Sequence, residues 1–558
     1  MATSVADVII EGLIAEGVER IYGVPGDAIN ALLDSIRRHS DRIRFVLTRH
    51  EESAALIAAY EAKITGRLAV CVGTGGPGAI HLLNGLYEAK MEGASVLALT
   101  GQVPLSLIGT DYFQEVDLLH LFRDVALFNE MLVSPESVGL LLARAIRAAR
   151  AGHGVAHLNL PEDLAMAPAG PSFAASPIEY ASTCAVPSPE QISRAVEILQ
   201  QGERIVLLAG KGARAARSEL LNLAERIRAP VVKTLHAKDL LPDDHPLALG
   251  GLGLLGTRPA QEAMDAADTL LMVGTSYPYT QFLPAHARVI QIDRNIDSIG
   301  KRYPVDLALV GDSGPTLQAL IEKLPVRTDD RFLRSGQEAM ARWRSSQAQA
   351  EEDDSTPVRP QRLAHEIERA LGPDGVVCVD VGTVTVWMAR NFHVGSNHRM
   401  LFSGWLATMG SGLPGALAAQ WVFPDRRIVA AVGDGGFAMT LTDFVTAVRY
   451  RLPVVVVVFN NGKLAFIQFE EEVEGFPDYG TDLVNADYAA WARACGGAGY
   501  TVRDPAELAP TLTKAFEDRR PTIVDVHTRP DERPMPPHLT LTQISGFAKS
   551  ILREKFSL

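Results

Sequence analysis

Asp434 and Asn461 sit where their types and spacing could do chemistry. Gly433-Asp434-Gly435-Gly436 closes an apolar run that starts at Ile428, and Asn460-Asn461 closes a second run, Leu452 to Phe459. A helix-like stretch, Thr442 to Arg449, lies between them. This strand–turn–helix–strand unit puts polar groups at the carboxyl ends of both strands, where open α/β sheets bind ligands. Gly435 and Gly436 let backbone N–H groups approach a phosphate closely. The Asp434 carboxylate and the Asn461 side-chain carbonyl are hard oxygen donors, suited to Mg²⁺ shared with a diphosphate. Gly-Asp-Gly alone is ordinary turn chemistry. Its pairing with Asn-Asn across an intact helix and strand makes the reading specific.

Weaker signals lie upstream. Phe45 to Glu51 reads as a strand with a polar end, Thr48-Arg-His-Glu-Glu52. Alternation along that strand turns His50 away from Glu51, so His50 reads as structural, and His81 and His120 read likewise. Gly73-Thr-Gly-Gly-Pro-Gly78 opens a helix whose N-terminus could hold an anion. Strand Arg204–Gly210 enters Lys211-Gly-Ala-Arg214 without completing GxGxxG, which says little alone. Asp293 closes another apolar strand and is either a ribose ligand or a cap residue.

These segments need a scaffold. Strand-like runs alternate with helical ones through most of the 558 residues, which implies parallel sheets. The expected domains are residues 1–178, 190–325 and 359–540, with a C-terminal tail at 541–558. A Pro/Ser-rich stretch, Ala167 to Pro189, reads as a linker. Residues 326–358 read as a solvated linker or exposed helix, and the charge run Glu351–Asp354 needs no functional reading. The first and third domains are expected to have related folds. With 47% hydrophobic and 21% charged residues, the chain has the composition of a globular protein with large cores. A net charge of −13 argues against nucleic-acid binding. The four cysteines are dispersed and form no CxxC, which argues against a cysteine metal site or a disulfide scaffold; Cys71 and Cys378 read as core. Acidic residues at the N-terminus exclude a signal peptide, and no apolar run approaches a membrane span. The cytoplasm is the expected location.

Taken together, Thr48–Glu52, Tyr112-Phe-Gln-Glu115 and the GDGG/Asn-Asn pair resemble the acetohydroxyacid synthase/pyruvate oxidase branch of thiamine-diphosphate enzymes. Within it the flavin-dependent pyruvate oxidases are most similar. Asp380-Val-Gly-Thr383, Gly274–Tyr279 and Gln291-Ile-Asp293 support the match. The resemblance implies an α/β chain of three doubly wound parallel-sheet domains: pyrimidine-binding, central FAD-binding and diphosphate-binding.

The resemblance also implies site residues. Glu51 shares a proton with the cofactor's pyrimidine N1′, which needs a carboxyl in a dry pocket. Met409 is the apolar wedge under the bent cofactor, with Gly26, Ala407 and Thr408 also in contact with it. Asp434, Asn461 and the Lys463 carbonyl hold Mg²⁺, and Gly435 and Gly436 meet the diphosphate. Phe113 and Gln114 face the substrate, with Val381, Leu464 and Phe466 around the reacting carbon. FAD contacts fall on Gly251, Leu252, Gly253, Leu254, Ser276, Tyr277, Pro278, Tyr279, Thr280 and Asp293.

The implied reaction is oxidative decarboxylation of pyruvate or a related 2-oxo acid, through an enamine that reduces FAD and gives acetate or acetyl phosphate. Oxygen, a quinone or a soluble carrier would take the electrons. Tyr-Phe-Gln-Glu lacks the histidine pair of simple decarboxylases. Gln468-Phe469-Glu470 is partway to the Gln-Trp-Glu of acetolactate synthases, so carboligation with a structural FAD stays open. Thr280 stands where the quinone-linked enzyme has arginine. The family implies a site shared between chains, a dimer at minimum and a tetramer as the expected assembly. The quinone enzyme's lipid-binding helix would lie beyond Leu558, so weak or no membrane association is expected.

Overall fold

The computed structural model describes residues 3–170, 184–535 and 549–550. Part of the expected linker and nearly all of the 541–558 tail fall outside them. The described residues form three six-stranded sheets, and every pairing between their strands is parallel.

The first sheet holds β1 (Arg20–Gly23), β2 (Arg44–Leu47), β3 (Ala69–Gly73), β4 (Val96–Gln102), β5 (Ala126–Met131) and β6 (Val155–Pro161), in the order β2-β1-β3-β4-β6-β5. The second holds β7 (Ile205–Ala209), β8 (Val231–Lys233), β9 (Ala248–Gly251), β10 (Thr269–Val273), β11 (Arg288–Asp293) and β12 (Leu307–Val310), in the order β12-β11-β10-β7-β8-β9. The third holds β13 (Val376–Val379), β14 (Arg399–Phe402), β15 (Ile428–Gly433), β16 (Val455–Asn460), β17 (Ala498–Val502) and β18 (Thr522–His527), in the order β14-β13-β15-β16-β18-β17. Position by position, the third order repeats the first, as expected of related folds. Helices cover both faces, so central strands such as Val455–Phe459 are apolar throughout and fully buried.

Three local readings change. β2 ends at Leu47, and Glu51 begins helix Glu51–Thr65. His50 is that helix's N-cap, its ring nitrogen accepting from the Glu52 N–H at 3.2 Å, so strand alternation does not set its direction. Asp434 is likewise the first residue of a helix, Asp434–Thr440, where the sequence reading had a turn. Residues 331–351 form a helix, one of the two expectations for 326–358, but it is not simply exposed, since Leu333, Met340 and Glu351 are buried.

The first and third sheets share one apolar core, which includes Tyr22, Tyr60, Leu86, Leu417, Ala430 and Val456. Its centre is helix Glu51–Thr65 against helix Gly412–Val422. Gly415 permits the contact, because a Cβ there would lie 2.7 Å from the Tyr60 ring. Polar ties fix the register of the two domains. The Leu47 N–H donates to the Tyr450 hydroxyl at 2.8 Å and the Arg49 N–H to Asp443 at 2.9 Å. Lys63 spans the junction, bonded to Glu88 at 2.9 Å and to the Phe402 carbonyl at 2.6 Å.

Replacing Gly415 by Leu should force these helices apart and cost about 1–3 kcal/mol, as overpacking does elsewhere. Thermal unfolding would register this as a lowered Tm. An unchanged Tm would mean that the contact can relax freely.

Candidate active site

β15 delivers Asp434 and β16 delivers Asn461 to neighbouring points at the carboxyl edge of the third sheet. Asp434 is 2% exposed. One of its oxygens accepts from the Gly462 N–H and from the Asn485 side-chain amide, each at 2.7 Å. The other accepts from the Gly435 N–H at 3.1 Å. These described donors are all neutral, and burial pushes the Asp434 carboxyl above its ordinary range. Lys463, the nearest lysine in sequence, turns its ammonium to Asp478 and Asp482 at 2.7 and 2.8 Å. A buried carboxylate held by neutral donors beside the Asn461 carbonyl suits a divalent cation, which would supply the missing positive charge. The Asn461 oxygen accepts from the Lys463 N–H at 3.0 Å, which orders the loop carrying the third donor, the Lys463 carbonyl.

Asn485 and Tyr488 were not foreseen. Asn485 also bonds Asn460 at 3.0 Å, and the Tyr488 hydroxyl donates to the Asp434 carbonyl at 3.1 Å. Both arrive from a distant loop and helix, with no local motif to announce them. Behind the loop lies Asp380, 1% exposed. One of its oxygens accepts from the Val381 N–H at 2.8 Å, and the other has no hydrogen-bond partner. Burial pushes this carboxyl up to about 7, although backbone N–H groups of Val381 and Gly410–Gly412 pull the other way. Gly436 must be glycine, since a Cβ there would meet the Asp380 carboxyl at 2.6 Å.

A cavity of about 1340 Å³ opens over this edge and continues into the central domain. On the third-domain side it is lined by Val381, Ala407, Met409, Asp434, Gly435, Gly436, Asn461, Lys463, Leu464 and Phe466. Gly251, Leu252, Leu254, Ser276, Tyr277, Pro278, Tyr279 and Asp293 line the central-domain side. Thr408, Gly253 and Thr280 do not line it. Met409 approaches Gly435 closely, its terminal methyl 3.6 Å from where a Cβ would stand. Ala407, two residues before it, holds a positive φ of 55° that alanine rarely adopts. Glu470 also lines the cavity, and burial and then Glu474 raise its carboxyl. The sequence reading quoted Glu470 only as part of a loose match; its place one helical turn after Phe466 was the available signal. Gln468 and Phe469 do not line the cavity. The Gln468 amide is held by Asp478 at 2.9 Å, and Phe469 is buried.

Glu51 does not line this cavity either. It belongs to a second cluster, built around the Gly73–Gly78 turn. Glu51 is 8% exposed, and its carboxylate lies 3.0 Å from Nδ1 of His81. The His81 ring stacks on His50 with centroids 4.4 Å apart, which places both histidines beside Glu51. Gly26 packs on Thr74, and Gln114 packs on Gly76 with a positive φ of 60°. Phe113, beside it, is 73% exposed. One chain therefore carries two clusters, the diphosphate-type cavity and the Glu51 turn.

Comparison with known proteins gives the same division. The family described as thiamine pyrophosphate enzyme matches in three parts: its N-terminal TPP-binding domain at residues 3–121, its central domain at 192–320 and its C-terminal TPP-binding domain at 380–526. YdaP of Bacillus subtilis, described as a thiamine pyrophosphate-containing protein, is 45% identical over 541 residues, covering 97% of this chain and 94% of its own. The pyruvate oxidase of Lactiplantibacillus plantarum is 32% identical over 536 residues, with coverages of 95% and 89%. An acetolactate synthase large subunit of Parasynechococcus marenigrum is 31% identical over 565 residues, with coverages of 97% and 90%.

Asp380 yields a pH test. Burial pushes its carboxyl up to about 7 in the folded chain, against about 3.9 for an ordinary aspartate. Between those values the folded state holds a proton that the unfolded state has released, so this group's contribution to stability falls as pH rises. Asp380→Asn should therefore gain in Tm relative to the parent on going from about pH 5 to about pH 8. Parallel Tm curves would refute the protonated carboxyl.

Proposed function

Because this chain belongs to the thiamine pyrophosphate enzyme family, we propose that it decarboxylates pyruvate or a related small 2-oxo acid oxidatively, with thiamine diphosphate, Mg²⁺ and FAD. The observation that carries the reading is the continuity of the cavity. It exceeds the roughly 300–1,000 Å³ of a single small-molecule pocket, and it joins Asp434, Met409 and Phe466 to Ser276–Tyr279 and Asp293 without a wall between. That continuity suits two cofactors that exchange electrons.

Asp434, Asn461 and the Lys463 carbonyl would hold Mg²⁺, with Gly435 and Gly436 against the diphosphate. The central domain fits a flavin nucleotide. Gly212 and Gly274 pack backbone to backbone, Asp293 ends β11 where a ribose hydroxyl could be met, and Tyr277 and Tyr279 stand edge to face with centroids 5.9 Å apart. When bound, thiamine diphosphate supplies a carbon nucleophile for 2-oxo acid decarboxylation and FAD supplies a two-electron acceptor. The residues do the rest. Glu51 would meet the pyrimidine ring of the cofactor, with His81 orienting its carboxylate. Met409 would support the cofactor from the cavity wall. Phe466, Leu464 and Val381 would exclude water from the reacting carbon, and Glu470 offers at its edge a carboxyl that burial raises above its ordinary range. Phe113 and Gln114 complete the substrate side.

Because Glu51 and Asp434 lie in different clusters, we read each active site as shared by two chains, with Glu51 of one facing Asp434 of the other. The exposed aromatics Phe113 and Tyr479 support this, since each would otherwise stand in water. A tetramer remains our expectation, and oxygen, a quinone or a soluble carrier the terminal acceptor. No helix among the described residues is long and apolar enough to cross a membrane. The second reading, carboligation to an acetolactate-type product, draws on the synthase relatives. It is less favoured because Gln468 and Phe469 turn away from the cavity, leaving Glu470 alone of that triplet.

Pyruvate added without air should bleach the bound flavin and yield acetate. Acetolactate with unbleached flavin would transfer the chain to the second reading. Glu51→Gln should lower turnover by about 10²–10⁴-fold while thiamine diphosphate still binds. Asp434→Ala should lose Mg²⁺-dependent retention of thiamine diphosphate and keep the flavin. Mixing these two inactive variants, with subunit exchange verified, should restore part of the activity. No recovery would mean that each site is built within one chain.

A further inference from the structure

Away from the cavity, three segments bring two imidazoles and two carboxylates together. Helix Arg331–Glu351 starts in the core of the central domain, where Leu333 is buried, and ends at Glu351 against the third domain. Helix Pro360–Leu371 presents His365 and Glu368 one turn apart, and His393 follows helix Thr383–Asn391. Ligand atoms of Glu351, His365 and His393 all lie within 4.8 Å of one another.

We propose that Glu351, His365 and His393 form a Zn²⁺-type metal site that fastens the interdomain helix to the third domain. The donor set is borderline-soft nitrogen plus carboxylate oxygen, which favours zinc-like ions over Mg²⁺. Zinc needs such atoms about 2.0–2.2 Å from the metal. The surroundings are those of a metal site. Nδ1 of His365 lies 3.2 Å from the Glu368 carboxylate, which leaves its Nε2 as the coordinating atom. The Asn391 amide donates to Glu351 at 2.9 Å and orients that carboxylate. Glu351 and His393 lie 3.2 Å apart, with side chains 6% and 35% exposed, so the site has a buried anchor and a path to solvent. A neighbouring guanidinium, Arg362, bonds the Glu351 carbonyl at 3.1 Å and directs its charge to Glu366 and Asp354 at 3.3 and 3.6 Å. Among the described residues, the ion-pair partners of Glu351 and Glu368 are histidines.

The test uses the full chain loaded with thiamine diphosphate and excess Mg²⁺, stripped of transition metals and then titrated with Zn²⁺ or Co²⁺. One Zn²⁺ per chain should bind and raise the Tm, and Co²⁺ should give the visible absorption of a low-coordinate nitrogen–oxygen site. His365→Ala and His393→Gln, made separately, should each abolish both signals. Glu368→Gln should weaken binding by about 10–100-fold, as removal of an orienting partner does. His81→Ala, in the Glu51 cluster, should leave the signals intact. Absence of a stoichiometric Zn²⁺, or its loss in His81→Ala with retention in His365→Ala, would overturn the proposal. If one histidine variant misfolds, the other and Glu368→Gln decide the matter.

Discussion

The core shared by the first and third sheets is the contact on which the arrangement of this molecule depends. Helices Glu51–Thr65 and Gly412–Val422 meet face to face because Gly415 leaves room for the Tyr60 ring. The contact has a directional consequence. It uses the flank of the helix that begins with Glu51, so Glu51 points toward the Gly73–Gly78 turn while Asp434 opens into the cavity with the central domain. Packing within one chain therefore sets the two clusters apart, and a chain built in this way has reason to associate with another copy of itself.

Electrostatics at the carboxyl edge of the third sheet follows from burial. Asp434 and Asp380 are both taken out of water, and in both desolvation is the largest influence on the carboxyl. Their surroundings then separate them. Asp434 has the Asn461 carbonyl beside it and an open cavity in front, so a cation can stabilise its charge. Asp380 is closed in behind Gly436, with one oxygen unpartnered, and burial pushes its carboxyl up to about 7. Desolvation thus acts on one acid that faces the cavity and on another that does not.

Much of this was legible in the sequence. Apolar runs ending in polar residues marked β7, β11, β15 and β16, since a strand buried on both faces must be apolar throughout. Short or polar-edged strands such as β8, β9, β14 and β17 carried no such mark. The strand reading of Phe45 to Glu51 ran past Leu47 because a histidine N-cap is an unusual signal beside Ser, Thr, Asp or Asn. Glu351 read as part of a solvated charge run because its partners, Asn391 and His393, lie across an interdomain junction.

By itself the sequence determined the three parallel-sheet units, the Gly433–Gly436 and Asn460–Asn461 ligand ends, and the family to which they belong. These are local matters of periodicity, glycine placement and donor chemistry, carried by neighbours along the chain. Only the tertiary structure decided that Asn485 and Tyr488 hold Asp434, that Glu470 faces the cavity while Gln468 and Phe469 do not, and that His81 rather than a core position receives Glu51. It also decided that Glu51 and Asp434 lie in separate clusters. Each of these depends on which helix faces pack, and packing is settled by shape and burial between residues far apart in the chain, where no fixed spacing can record it.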